Sequence, residues 1–89
     1  MAGGKRHGEK GFFIEPTIFS DSTDSMTIAR EEVFGPFVVI SPFKTEEEAI
    51  TRANDTQYGL SAAVFTQNIA KAHRVSAEIE AGMVWVSQC

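Results

Sequence analysis

Glu31 and Glu32 run straight into Val33, Phe34, Gly35 and Pro36. A carboxylate accepts charge-assisted hydrogen bonds, which are the stronger kind. An aromatic ring offers a flat apolar face. Together they suit a sugar ring joined to a flat heterocycle. The carboxylate would take two adjacent hydroxyls, and the ring would pack against the heterocycle or the sugar. The Gly-Pro break would hold both at the lip of a strand, where open parallel sheets bind ligands. The plainer alternative makes Glu31 and Glu32 a solvated helix end, since charged residues are mostly exposed. Phe34 would then be a core anchor and Gly35-Pro36 a turn. Composition alone favours this plainer alternative.

Other reactive side chains offer less. His7 and His73 have no companion at metal-ligand or triad spacing and read as surface positions. The run Gly3 to Arg6 lacks the GxxxxGK[ST] pattern of a phosphate loop and reads as an exposed strand end. Cys89 is the single cysteine and the last of 89 residues, which excludes an internal disulfide and fits a reducing compartment. The balance of 8 basic against 12 acidic residues gives a net charge of −4. That charge favours solubility and creates no field for nucleic acid or an anionic membrane. No apolar run reaches the length of a membrane-spanning helix.

The elements that must position these residues can be read from the pattern. Phe12 to Phe19 (FFIEPTIF) reads as an edge or bent strand, because Pro16 forces Glu15 towards extended geometry. Asp21 to Ser25 is turn chemistry. Met26 to Glu31 has room for one helical turn capped by Asp24 or Ser25. Phe37 to Ile40 is a continuous apolar run, which suits a strand buried on both faces. Thr45 and Glu48 form a capping box ahead of a helix with an Ala49, Ile50, Ala53 stripe and a Glu48–Arg52 ion pair. Asn54, Asp55 and Gly59 end it. Ala62 to Phe65 is a second buried strand. Asn68 caps a second helix in which Ile69, Ala72, Val75 and Ile79 face one way, with Gly82 the expected stop. Met83 to Val86 is a third strand. The expected fold is α/β, a βαβαβ parallel-sheet segment over residues 37–89 preceded by a loop and edge strand over 1–36. Two helices leave one face of such a sheet bare, and Phe12, Phe13, Phe19 and Phe34 are candidates to cover part of it. Both ends look abrupt, so the expectation is a partial chain.

FFIEPTIF, TIAREEVFGP and the run from FKTEEEAITRANDTQYGLSAAVFT to AGMVWV together resemble the NAD(P)-dependent aldehyde dehydrogenase superfamily, from about Gly3 to Val86. The resemblance implies the later part of that family's catalytic domain. It implies oxidation of an aldehyde to a carboxylic acid, or in some relatives to an acyl thioester, with NAD or NADP as cofactor. The acid ahead of the apolar-Phe-Gly-Pro run, which binds the nicotinamide ribose hydroxyls in the family, falls on Glu32. The aromatic residue near the nicotinamide ring falls on Phe34. Leu60 falls where relatives approach the cofactor pocket, although a core leucine ahead of a buried strand fits it nearly as well. Ser87 stands where the family commonly has Asn. The family's nucleophilic cysteine, in a Gly-Gln-rich motif, and its general-base glutamate both lie upstream of the matched region. Cys89 instead aligns near the start of the loop lining the substrate channel. The resemblance further implies a homo-oligomeric parent enzyme in the cytoplasm, or else in mitochondria. Two other readings are a non-catalytic fragment that folds only by packing against its parent or itself, and an unrelated small α/β interaction domain.

Overall fold

The computed structural model describes residues 1 to 88, so Cys89 and the expectations attached to it lie outside the described residues. The chain forms two compact units, one from Met1 to Pro42 and one from Phe43 onward.

In the first unit, β1 (Thr17–Ser20) pairs in parallel with β2 (Phe37–Ile40), with Thr17 opposite Phe37 and Ser20 opposite Ile40. A parallel pair needs a long crossover, and residues 21 to 36 supply it around the single turn α1 (Thr27–Arg30). The expected strand begins only after Pro16, and Phe12 and Phe13 are exposed outside it. The break follows from proline, which has no N–H to give a ladder. The ladder starts instead with the Thr17 N–H donating to the Pro36 carbonyl at 2.7 Å. Ahead of it, residues 2 to 7 fold back antiparallel on residues 13 to 18. The N-cap position of α1 is Met26 rather than the expected Asp24 or Ser25, and the Met26 side chain makes no cap bond. Asp21 takes the left-handed conformation, φ 56°, as its turn chemistry allows.

Thr17 anchors this unit. It is a buried polar residue, 7% exposed, and its hydroxyl accepts from the Gly4 N–H at 3.0 Å and donates to the Glu15 carbonyl at 2.9 Å. Phe19 packs on Phe37 with ring centroids 5.4 Å apart. Along β2, Phe37 and Val39 are half-buried while Val38 and Ile40 are exposed. The expectation of burial on both faces therefore fails within these residues. Phe12, Phe13 and Phe34 are all exposed and cover no bare face.

In the second unit, β3 (Ser61–Phe65) and β4 (Met83–Ser87) pair in parallel, Ser61 opposite Met83 and Phe65 opposite Ser87. The crossover is α3 (Ile69–Glu78), and α2 (Glu46–Asn54) precedes β3. Order and type of elements follow the sequence reading, and both sheets are parallel. The strand paired with Phe37–Ile40 is Thr17–Ser20, a partner that local pattern alone does not identify.

Thr45 caps α2 as expected, its hydroxyl accepting from the Glu48 N–H at 3.1 Å. Glu48 reaches one residue beyond the usual box and accepts from the Lys44 N–H at 2.9 Å. Arg52 sits 3.5 Å from Glu48 on the same helix. Asn68 caps α3 by accepting from the Lys71 N–H at 3.0 Å. Of the expected α3 stripe, Ala72 is buried and Val75 and Ile79 are half-buried, but Ile69 is exposed. The helix ends at Glu78, not at Gly82, because Ile79 already turns to extended geometry (φ −73°, ψ 126°). The helices are tied by Arg74, which donates from Nε to Glu46 Oε1 at 2.6 Å and from Nη2 to Oε2 at 2.9 Å. Lys71 adds its charge at 3.8 Å.

Candidate functional site

The EEVFGP segment is shaped by three backbone hydrogen bonds. Glu31 closes α1 with its N–H donating to the Thr27 carbonyl at 2.9 Å. The Gly35 N–H then donates to the Val33 carbonyl at 3.0 Å, and the Phe37 N–H donates to the Gly35 carbonyl at 2.8 Å. Both are i to i+2 closures, the γ-turn pattern common where strands begin. Phe34 is central to the first, which turns its ring outward, and it is 92% exposed. Pro36 is central to the second, where its fixed φ suits the turn. A Cβ on Gly35 would meet nothing within 4 Å, so this chain's own packing does not demand glycine there. Glu32 is exposed between the helix end and this turn.

Glu32 and Phe34 are thus brought together on one loop, a carboxylate and an open aromatic face two positions apart. Phe34 as a core anchor does not hold within this chain. The placement at the strand needs correcting. The segment precedes β2 and feeds its amino end, whereas open parallel sheets ordinarily bind ligands beyond the carboxyl ends.

Leu60 belongs to the second unit and precedes β3, also at an amino end. It is 87% exposed, which sets aside the core-leucine alternative within these residues. Its backbone is fixed by the neighbouring connection: the Gly82 N–H donates to the Gly59 carbonyl at 2.9 Å. A Cβ on Gly59 would stand 3.2 Å from the Glu80 carbonyl oxygen, so the two connections pass closely. Gly82, expected as a helix stop, is instead one rung of this tie.

The remaining polar candidates stay apart. His7 and His73 are exposed, and among the described residues no cluster of three or more His, Cys, Asp or Glu could hold a metal ion. Ser87 donates through its hydroxyl to the Gln88 carbonyl at 3.4 Å. The Arg74 guanidinium beside Glu46 holds that carboxyl below its ordinary range, with smaller help from the charges of Arg74 and Lys71. The same contact raises Arg74.

The sequence matches the aldehyde dehydrogenase family over residues 1–89. An aldehyde dehydrogenase of Enchytraeus buchholzi is 59% identical over 85 residues, covering 96% of this chain and 17% of that protein. A betaine aldehyde dehydrogenase of Brucella anthropi is 58% identical over 79 residues, covering 89% of this chain and 16% of that protein. A solved NAD+ complex of aldehyde dehydrogenase from Bacillus cereus superposes with a TM-score of 0.93 at 55% identity, covering 96% of this chain and 17% of that one. The chain thus spans about a sixth of the length of relatives it matches (17% of the Enchytraeus buchholzi protein). By sequence and by fold, the chain belongs to the aldehyde dehydrogenase family.

Proposed function

We propose that this chain is the nicotinamide-side clamp of an enzyme that oxidises aldehydes to carboxylic acids with NAD or NADP. The carrying observation is the EEVFGP loop, which presents the Glu32 carboxylate and the exposed Phe34 ring together in a chain that belongs to this family. These two groups suit the cofactor: a carboxylate accepts from two adjacent ribose hydroxyls, and an open ring packs on a flat heterocycle. When bound, the cofactor supplies the hydride acceptor. Glu32 fixes the ribose and Phe34 limits the tilt of the ring, and Leu60 is a further candidate cofactor contact by family resemblance. Orientation of this kind can lower a barrier by several kcal/mol. The nucleophilic cysteine and the general base lie outside this chain, so the 89-residue chain by itself oxidises no aldehyde. The parent enzyme is a cytoplasmic or mitochondrial homo-oligomer. Residues 1–89 form part of its catalytic domain, with a loop and edge strand in 1–36 and the helix-and-strand run in 37–89.

A second reading has one observation in its favour. Among the described residues Ala72 is the buried hydrophobic, 4% exposed, and no large side chain is fully buried. A chain with so little core would serve only as a structural or oligomerising piece. Hydrodynamic size measured together with the thermal shift induced by NAD separates the two. A monomer stabilised by NAD supports a surviving clamp. An oligomer indifferent to NAD supports the structural piece. Aldehyde turnover by the isolated chain with NAD would contradict both.

A further inference from the structure

The connection carrying Leu60 is tied to the connection after α3 by two rungs. One is the Gly82 N–H on the Gly59 carbonyl, 2.9 Å. The other is made by the side chain of Asn54, the last residue of α2. Its Nδ2 donates to the Glu78 carbonyl at 2.9 Å, and its Oδ1 accepts from the Glu80 N–H at 2.9 Å. Glu78 ends α3, so its carbonyl is among those a helix leaves without an internal partner. One short amide therefore caps the end of α3 and holds the first residues beyond it. Only one amide orientation places the oxygen on the N–H and the NH2 on the carbonyl.

Residue 54 and residue 59 bound the connection that leads into Leu60. Their partners, 78 to 82, bound the connection that leads into β4. The Asn54 backbone carbonyl also accepts from the Thr56 N–H at 2.8 Å, which starts the connection in a fixed direction. The Gly59 backbone passes Glu80 so closely that a Cβ would stand 3.2 Å from its oxygen. Asn54 thus sets the position of Glu80, against which Gly59 packs, and Leu60 follows Gly59 directly.

We propose that Asn54 is a positioning residue for Leu60, acting through Glu80 and the Gly82–Gly59 rung to hold that side chain at the nicotinamide cofactor. The proposal rests on the reading that Leu60 approaches the cofactor. Asn is required because the site needs a donor and an acceptor on one short side chain. Asp has the same shape but no donor for the Glu78 carbonyl, and it sets two oxygens against each other.

The test uses full-length Bacillus cereus aldehyde dehydrogenase carrying this chain in place of its matching segment. Leu60→Ala, Asn54→Asp, the double variant and Arg74→Ala are compared for the KM of NAD and for kcat at saturating NAD. Arg74→Ala loosens the same two helices at their other tie. The expected result is a rise in KM of about fivefold for Asn54→Asp with kcat changed less, and a double variant no worse than the larger single one. Asn54→Gln, which keeps both amide groups, recovers part of the loss, and Arg74→Ala leaves KM unchanged. Should Asn54→Asp fold poorly, Asn54→Ser carries the same comparison. Additive effects, an unchanged KM in Asn54→Asp beside a raised one in Leu60→Ala, or an equal rise in Arg74→Ala would overturn the positioning role. An unchanged KM in Leu60→Ala would instead overturn the cofactor reading of Leu60, and the positioning role with it.

Discussion

Residues 1 to 42 are closed by tight backbone approaches and by side chains bonded to nearby backbone, whereas the unit that follows adds side chains reaching between its helices. In the first, Gly3 holds φ +75° directly against Pro16, and Thr17 ties Gly4 to Glu15. The loop with Glu32 and Phe34 is likewise a product of backbone turns. In the second, Arg74 bridges to Glu46 at one tie and Asn54 to the end of α3 at another. Conformational closure is close to all-or-none, because a left-handed glycine either fits or does not. Side-chain closure is graded and responds to pH and salt. The two units should therefore fail differently when perturbed.

The sharpest way to break this contrast is Gly3→Ala. A Cβ there would overlap the Pro16 carbonyl oxygen, and the φ is left-handed as well. The local opening free energy of residues 2 to 18 should fall by more than about 2 kcal/mol. Hydrogen exchange in the full-length host enzyme reads it. Gly8→Ala is the control, with φ +72° but nothing within 4 Å. It should cost about 1 kcal/mol, the conformational term alone. Equal losses at the two positions would remove the role given to the Gly3–Pro16 approach.

In the second unit, Thr45→Ala removes a cap and should open the start of α2 by about 1 kcal/mol. The Glu48 and Lys44 amides would report it through faster exchange, with residues 2 to 18 unaffected. A loss shared by both units would blur the distinction between them.

The smallest effect is the acid response of the Glu46–Arg74 pair. The Glu46 carboxyl is held below its ordinary range mainly by the Arg74 hydrogen bond. Its contribution is therefore present above the ordinary carboxylate range and is lost as pH falls through the lowered folded value. Exchange along α3 should speed up on acidification in the native sequence, and Glu46→Gln should flatten that dependence. An identical acid profile in Glu46→Gln would show that the pair stabilises nothing measurable, as exposed pairs often do.

What the sequence disclosed follows the range of each interaction. The Thr45 and Asn68 caps span three residues, so side-chain type and spacing suffice to find them. The pairing of Thr17–Ser20 with Phe37–Ile40 joins segments twenty residues apart in register, and an apolar run does not name its partner. Asn54 reads from sequence as a helix-ending residue, which it is. Its bonds to Glu78 and Glu80 lie beyond any local pattern. Gly82 reads as a helix stop because glycine serves there so often, yet α3 has already turned out at Ile79. Of the candidate site, Glu32, Phe34 and Leu60 were named through family resemblance. Composition alone favours a solvated helix end for Glu31 and Glu32. The outward turn of Phe34, made by two successive i to i+2 closures, was legible in neither way.

The central claim is that Glu32 holds the nicotinamide ribose. Glu32→Gln in the full-length host tests it most directly, since the amide keeps the shape and loses the charge and one acceptor. Steady-state kinetics with NAD varied at saturating aldehyde should show kcat/KM for NAD reduced roughly tenfold or more, the scale of a lost charge-assisted hydrogen bond. Glu31→Gln should leave it near the parent value. Unchanged kcat/KM in Glu32→Gln, or an equal loss in Glu31→Gln, would contradict the assignment.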